Sequence, residues 1–145
     1  MHENELLNQQ QGWIHSIARG GLAIIFAYHG LVPKLLGRQA NEIAMLKDSG
    51  VPAESLSMVL IIFGLSELLF AVALIIFWRH RWPLLLCLGL MCLATLGVAV
   101  KSPRYIAAAF NPITLNIAVS CLTLIDLLIL KRTKPIDPRT RGAHG

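Results

Sequence analysis

The sequence predicts an all-α fold: an integral membrane bundle of four transmembrane helices, with both termini on the cytoplasmic side (N-in/C-in). Three observations lead there. Hydrophobic residues fill 55 % of the 145 positions and charged residues only 14 %, against about 25 % charged in an ordinary soluble domain. The apolar residues gather into four runs, each close to the ~20 residues that cross a hydrocarbon core. The basic residues behind the net charge of +5 sit in short clusters at the ends of those runs, where membrane topology puts them. The charge is therefore topological. It leaves no continuous polar, basic surface, so the lipid bilayer is the expected partner and nucleic acid is not.

The elements follow in order. Residues 1–12, MHENELLNQQQG, are polar and acidic. They lack the basic start and small-residue cleavage site of a secretory signal, so they are read as a cytoplasmic N-terminus attached to the first span. Residues 13–132 form the membrane domain, with spans at about 13–32, 55–78, 82–100 and 112–130. Backbone groups in lipid must be satisfied internally, which makes runs this long helical. Pro33 is expected to close the first helix. The outer loop, 33–54, is the only long one; within it, 41–47 has the composition of a short surface helix, and Gly50-Val51-Pro52 turns the chain into the second span. Pro83 and Pro112 stand just inside helix starts, where a missing N–H costs nothing. Asn111 is placed to cap the fourth helix. Ser102-Pro103 breaks the chain after the third span. Residues 133–145 make a basic tail with little apolar surface, expected to be disordered and cytoplasmic.

Orientation comes from counting Lys and Arg. The side of the termini holds Arg79, Arg81, Lys131, Arg132, Lys134, Arg139 and Arg141, with Arg19 just inside the first span. The other side holds Lys34, Arg38, Lys47, Lys101 and Arg104. Trp13, Trp78 and Trp82 share the boundary nearest the termini, as an interfacial belt would; Tyr105 and Phe110 are placed to serve the outer one.

Among polar residues in the spans, Glu67 is the most informative. It lies about 18 Å into the second span, where a carboxylate costs at least ~2.5–3.5 kcal/mol. It should therefore face the bundle interior and be paired or protonated, with Gly64 and Ala71 flanking it. An intramembrane functional site and a carboxylate that fixes helix register are equal readings. Arg19 and Asp126 lie at similar depth, ~6–8 Å from the same boundary, and form a candidate structural ion pair between the first and fourth helices; snorkelling is the alternative for Arg19. Asn116, Ser120 and Thr123 line one face of the fourth helix, with Asp126 at its edge, as interhelical hydrogen-bond glue or the lining of a small cavity. Tyr28, His29 and Lys34 cluster at the outer end of the first helix. Glu67, Tyr28, His29 and Asn116 together make the candidate intramembrane polar site. Gly20, Ala23, Ala27 and Gly30 form a small-residue stripe for close helix packing.

Cys87, Cys92 and Cys121 read as packing residues. No metal-ligand spacing appears, and His15 and His80 lie at the opposite end from His29, which argues against a bis-histidine haem. No nucleophile elbow, phosphate loop or dinucleotide fingerprint is present. No catalytic residue is identifiable, and nothing requires an enzyme.

Arg19 early in the first span, GLVPKLL from Gly30 to Leu36, FGLSELLF around Glu67, and AFNPITLNIAVSCLTLIDLLIL from Ala109 to Leu130 together resemble the DoxX-like family of small four-helix bacterial membrane proteins. The resemblance covers about residues 13–132. By it, Arg19, Gly30, Lys34, Glu67, Asn111, Pro112 and Asp126 match recurring family positions, and the chain is expected in the bacterial inner (plasma) membrane as a multi-pass protein. The resemblance also implies a link to redox chemistry, because the wider superfamily is named for membrane subunits of quinone-linked thiosulfate oxidation. Three functions follow in order of expectation. The first is a non-enzymatic accessory protein or subunit of a membrane complex, redox complexes included, binding a membrane protein partner or another copy of itself. The second is a quinone-linked oxidoreductase subunit in which Glu67, His29 or Tyr28 holds a quinone headgroup. The third is a small-molecule or proton-coupled transporter using Glu67 and the polar face of the fourth helix. No cofactor is evident from the residues; quinone is the one the second reading needs.

Overall fold

The computed structural model describes residues 2–107 and 111–132. The expected disordered tail, 133–145, and the boundary residue Phe110 lie outside them.

The first helical element is longer at both ends than the hydropathy suggests. Helix α1 spans His2–His29, with Glu3 and Glu5 in its first turn, where carboxylates complement the helix dipole. It begins well before Trp13 because residues 2–11 contain no Gly or Pro and are rich in Leu, Glu and Gln, which lose little on entering a helix. Pro33 does not end the element. Residues Gly30–Leu36 continue as a π-helical turn with Pro33 inside it. In an α-helix the Pro33 ring would clash with the carbonyl four residues back. The wider turn relieves that contact, and the Gly37 N–H closes onto Val32 O at 2.7 Å.

Arg38, at φ 40°, turns the chain into α2 (Ala40–Asp48), which lies at 88° to the first element. A 3-10 turn at Ala53–Ser55 leads into α3 (Leu56–Ile76). A tight link carries the chain into α4 (Trp82–Lys101), with Pro83 in its first turn. A second 3-10 turn, Pro103–Tyr105, precedes α5 (Pro112–Arg132). Asn111 caps α5: the Thr114 N–H donates to Asn111 Oδ1 at 2.8 Å.

The fold is all-α, with five α-helices among the described residues. Ala53–Ile76, Trp82–Lys101 and Pro112–Lys131 are each long and apolar enough to cross a membrane. The bent pair Glu5–Leu36 with Ala40–Asp48 makes a fourth when taken as one span.

Helix α1 packs along α3 on one side and α5 on the other, α4 packs on α5, and α3 and α4 touch little although they are neighbours in sequence. The shared core is Leu22, Ala23 and Phe26 of α1, Ala71 and Leu74 of α3, Leu84 and Cys87 of α4, and Val119 and Leu127 of α5. Ile24, Leu69, Leu93 and Val100 point outward, each about 70 % exposed. Apolar side chains so exposed on α1, α3 and α4 alike suit a lipid surround.

The closest approach of two elements is at glycines. A Cβ on Gly30 would stand 2.6 Å from Gly64 O, and one on Gly64 would stand 2.9 Å from Gly30 O. Backbone meets backbone there, so only glycine fits. Elsewhere in the small-residue stripe the packing is looser, and a Cβ on Gly20 would meet nothing within 4 Å.

Candidate functional site

The π turn that Pro33 introduces carries Lys34 inward. Lys34 is buried, 7 % exposed, and its Nζ lies 3.0 Å from Glu67 Oε1 and 3.1 Å from Oε2. Glu42, reaching in from α2, places Oε2 3.7 Å from the same ammonium. One cation thus faces two carboxylates. With the first helix ending at Pro33, Lys34 counts as an outer charge; the π turn continues the helix through it instead. The signal available was spacing: Lys34 falls four residues after Gly30, on the face that meets α3, if the helix continues.

These side chains border a cavity of about 200 Å³ between α1, α3, α4 and α5, roofed by α2. Its polar lining is His29, Lys34, Glu42, Glu67 and Asn116; Ile25, Phe26, Met45, Met91, Val98, Leu115 and Val119 supply most of its apolar wall. Asn116 Nδ2 donates to Thr95 Oγ1 at 3.1 Å, tying α5 to α4 at the chamber. Of the four residues in the candidate polar site, Glu67, His29 and Asn116 share this chamber. Tyr28 does not. It is 58 % exposed and lines an adjoining cavity of about 680 Å³ with Gln39, Asn41, Tyr105 and Asn111. His29, Glu42, Met45, Pro112 and Leu115 border both spaces, so the wider one is a vestibule to the narrower. Helix α2 is held over the chamber by Asp48, whose Oδ2 accepts from Arg104 Nη2 at 2.7 Å and from Ser102 Oγ at 3.2 Å.

A second polar cluster lies at the other end of the bundle. Arg19 Nε is 2.9 Å from Asp126 Oδ2, and both side chains are fully buried. His15 Nδ1 contacts the other carboxylate oxygen, and its ring meets Trp78 edge-on at 5.2 Å. Arg19 Nη2 donates to the His80 carbonyl at 3.0 Å, fixing the α3–α4 link. In sequence His15 bears only on the haem question, and its contact with Asp126 is new in the structure. The usable signal was that His15 precedes Arg19 by four residues, on the same helix face. Further along α5, Ser120 and Thr123 turn their hydroxyls back to the carbonyls of Asn116 and Val119, both at 2.7 Å. Thr123 also faces Cys87 Sγ at 3.4 Å.

Between the two clusters Leu22, Leu74, Leu84, Cys87 and Val119 are 0–2 % exposed and close the bundle with apolar side chains. They separate the outer chamber from the inner cluster. Chemically it offers an ammonium donor, two carboxylates able to accept a hydrogen bond or a proton, an imidazole and an amide, all set against apolar walls. Such a combination orients a small ligand by its polar head. Among the described residues no three of His, Cys, Asp and Glu converge as a metal-binding group.

Comparison with curated proteins gives no match, and comparison with solved structures gives none. A family model described as the DoxX-like family matches residues 23–124, more than half of the 145 residues. Every residue lining the outer chamber falls in that stretch, whereas His15, Arg19 and Asp126 fall outside it. With three helices able to cross a membrane, and a fourth in the bent pair, the chain is a multi-pass membrane protein, and it belongs to the DoxX-like family.

Proposed function

We propose that this protein is a non-catalytic membrane subunit whose outer chamber binds the headgroup of a quinone-class ligand on behalf of a redox partner. Four spans with N-in/C-in orientation in a bacterial inner membrane complete the reading. The observation that carries it is the Lys34–Glu67 pair, 3.0 Å apart, in the wall of a mostly apolar cavity. A buried ion pair with no ligand to serve is poor stabilisation, since its desolvation offsets its attraction. A buried pair of this kind at a cavity wall instead favours a binding role.

The residues fit a quinone. Lys34 Nζ is a donor for a carbonyl oxygen, and Glu67 or Glu42 is an acceptor for the hydroxyl of the reduced form. At about 200 Å³ the chamber holds a headgroup and not a tail. Glu67 keeps 25 % side-chain exposure on α3, which touches α4 little, and this opening supplies a route by which a tail reaches lipid. Bound there, a quinone would supply two-electron redox chemistry; the chain's own residues orient it, exclude water and hold a proton at the Glu67 carboxylate. The apolar plug below the chamber favours this reading over a transporter, which needs a path to the other side.

The test uses the full chain in lipid nanodiscs, titrated with a short-tailed ubiquinone analogue and read by native mass spectrometry. We expect saturable uptake by the wild type. Glu67→Gln should weaken it about tenfold, as loss of a charge-assisted hydrogen bond does. The paired change K34M/E67L removes both members of the ion pair and leaves only Glu42, which is 22 % exposed and within reach of water, so it should keep the fold and abolish uptake. Wild-type protein that takes up no quinone, or a K34M/E67L variant that binds as well as wild type, overturns the reading.

A further inference from the structure

At the N-terminal end of the bundle, a cavity of about 720 Å³ opens beside the Arg19–Asp126 cluster, lined on its polar side by Asn8, Gln11, His15, Arg79, His80 and Arg81. We propose that this cavity is a binding site for a phosphate group, carried by an anionic phospholipid headgroup or by a soluble phosphomonoester. It is separate from the outer chamber and independent of the function proposed for it.

The charge balance points to an anion. Two arginines and two histidines line the space, and no carboxylate does among the described residues. Asp126, the nearest acid in the cluster, is already engaged by Arg19 and His15. Neither Arg79 nor Arg81 forms an ion pair among the described residues. Two like charges two positions apart on one short link lower their mutual repulsion by sharing a counter-anion.

The geometry is also built. The link that carries Arg79 and Arg81 is tied down at its midpoint by the hydrogen bond from fully buried Arg19 to the His80 carbonyl, 3.0 Å long. The cationic loop is thus positioned by the core. His15 is held at the cavity wall by the contact of its Nδ1 with Asp126. Guanidinium forks match phosphate oxygens bidentately, and the Asn8 and Gln11 amides supply neutral donors. Trp82, Ile129 and Leu130 complete the lining with apolar surface, which suits the glycerol and acyl parts of a lipid.

Full-length protein is reconstituted in vesicles of equal phosphatidylglycerol and phosphatidylcholine, and retained lipid is read by native mass spectrometry. Binding of sn-glycerol 3-phosphate to protein in neutral detergent is measured in parallel by calorimetry. We compare wild type with Arg79→Gln, which removes a lining charge, and with Lys131→Gln, which removes one exposed charge at the same end of the bundle but outside the cavity. Arg79→Gln should lower retention or affinity about tenfold, and Lys131→Gln should leave it within about twofold of wild type. Selective retention of phosphatidylglycerol without glycerol phosphate binding identifies a headgroup site; saturable glycerol phosphate binding identifies a soluble ligand. Equal losses in the two variants would mean diffuse surface attraction and overturn the proposal, as would a wild type that neither prefers the anionic lipid nor binds glycerol phosphate.

Discussion

Asp126 is fully buried and engaged by two cationic or protonatable side chains, and that arrangement depends on all its members. Arg19 and Asp126 are each fully buried and 2.9 Å apart. Removing one partner leaves an uncompensated buried charge, which costs about 3–5 kcal/mol, whereas replacing both by apolar residues is often close to neutral. Asp126→Asn should therefore lower the unfolding free energy in detergent by about that amount, and R19M/D126L should recover most of it. A double-mutant cycle with no coupling would show that the pair contributes nothing to stability. Equal depth from one boundary was enough to bring Arg19 and Asp126 together on paper, because depth is a matter of counting along two helices. The contacts of His15 and Lys34 were not legible in the same way. His15 reaches Asp126 only because α1 and α5 are neighbours, and Lys34 reaches Glu67 only because the π turn swings it inward.

At the scale of elements, the π turn and the glycine contact beside it set the chamber. Gly30 and Gly64 bring the π turn and α3 to backbone contact, with a Cβ on Gly30 standing 2.6 Å from Gly64 O. That approach places Lys34 and Glu67 within an ion-pair distance. Gly64→Ala meets Leu35 Cγ at 2.8 Å and Gly30 O at 2.9 Å; since backbone cannot yield as a side chain can, we expect a loss of about 1–3 kcal/mol together with weaker quinone uptake. Gly20→Ala is the control. Its Cβ meets nothing within 4 Å, and alanine in a helix interior is better than glycine by about 0.5–1 kcal/mol, so stability should rise slightly. Both are read as thermal midpoints in one detergent; a Gly64→Ala midpoint at or above wild type would show the elements free to move apart. Helix limits were the least legible feature at this scale. Hydropathy marks where the chain is apolar, while α1 begins at His2 because polar residues such as Glu and Gln are also good helix formers.

For the whole molecule, orientation decides which solution the vestibule faces. Lys34 is paired with Glu67 inside the bundle, so it leaves the outer tally at Arg38, Lys47, Lys101 and Arg104, against Arg79, Arg81, Lys131, Arg132, Lys134, Arg139 and Arg141 on the side of the termini. The basic excess near the termini is larger once Lys34 is set aside, which supports N-in/C-in. A C-terminal green fluorescent protein fusion should therefore fluoresce, while a C-terminal alkaline phosphatase fusion should be inactive. The reverse pair of results would turn the vestibule to the cytoplasm and the basic cavity to the outside.

The class of the molecule is legible in the order of its residues alone. Long unbroken apolar runs have only helical solutions in lipid, the order of GLVPKLL, FGLSELLF and the fourth-span motif carries the family resemblance, and Glu67 stands out wherever the helices pack because a mid-span carboxylate demands a partner. What only the tertiary structure decided is which partner each polar group meets. The Lys34 contact depends on how the chain accommodates Pro33, and the roof over the chamber depends on α2 folding back at 88°. The division of the polar residues into two cavities depends on Leu22, Leu74 and Val119 meeting between them. Those outcomes are set by contacts between residues far apart in the chain, and spacing along one helix carries no information about its neighbour.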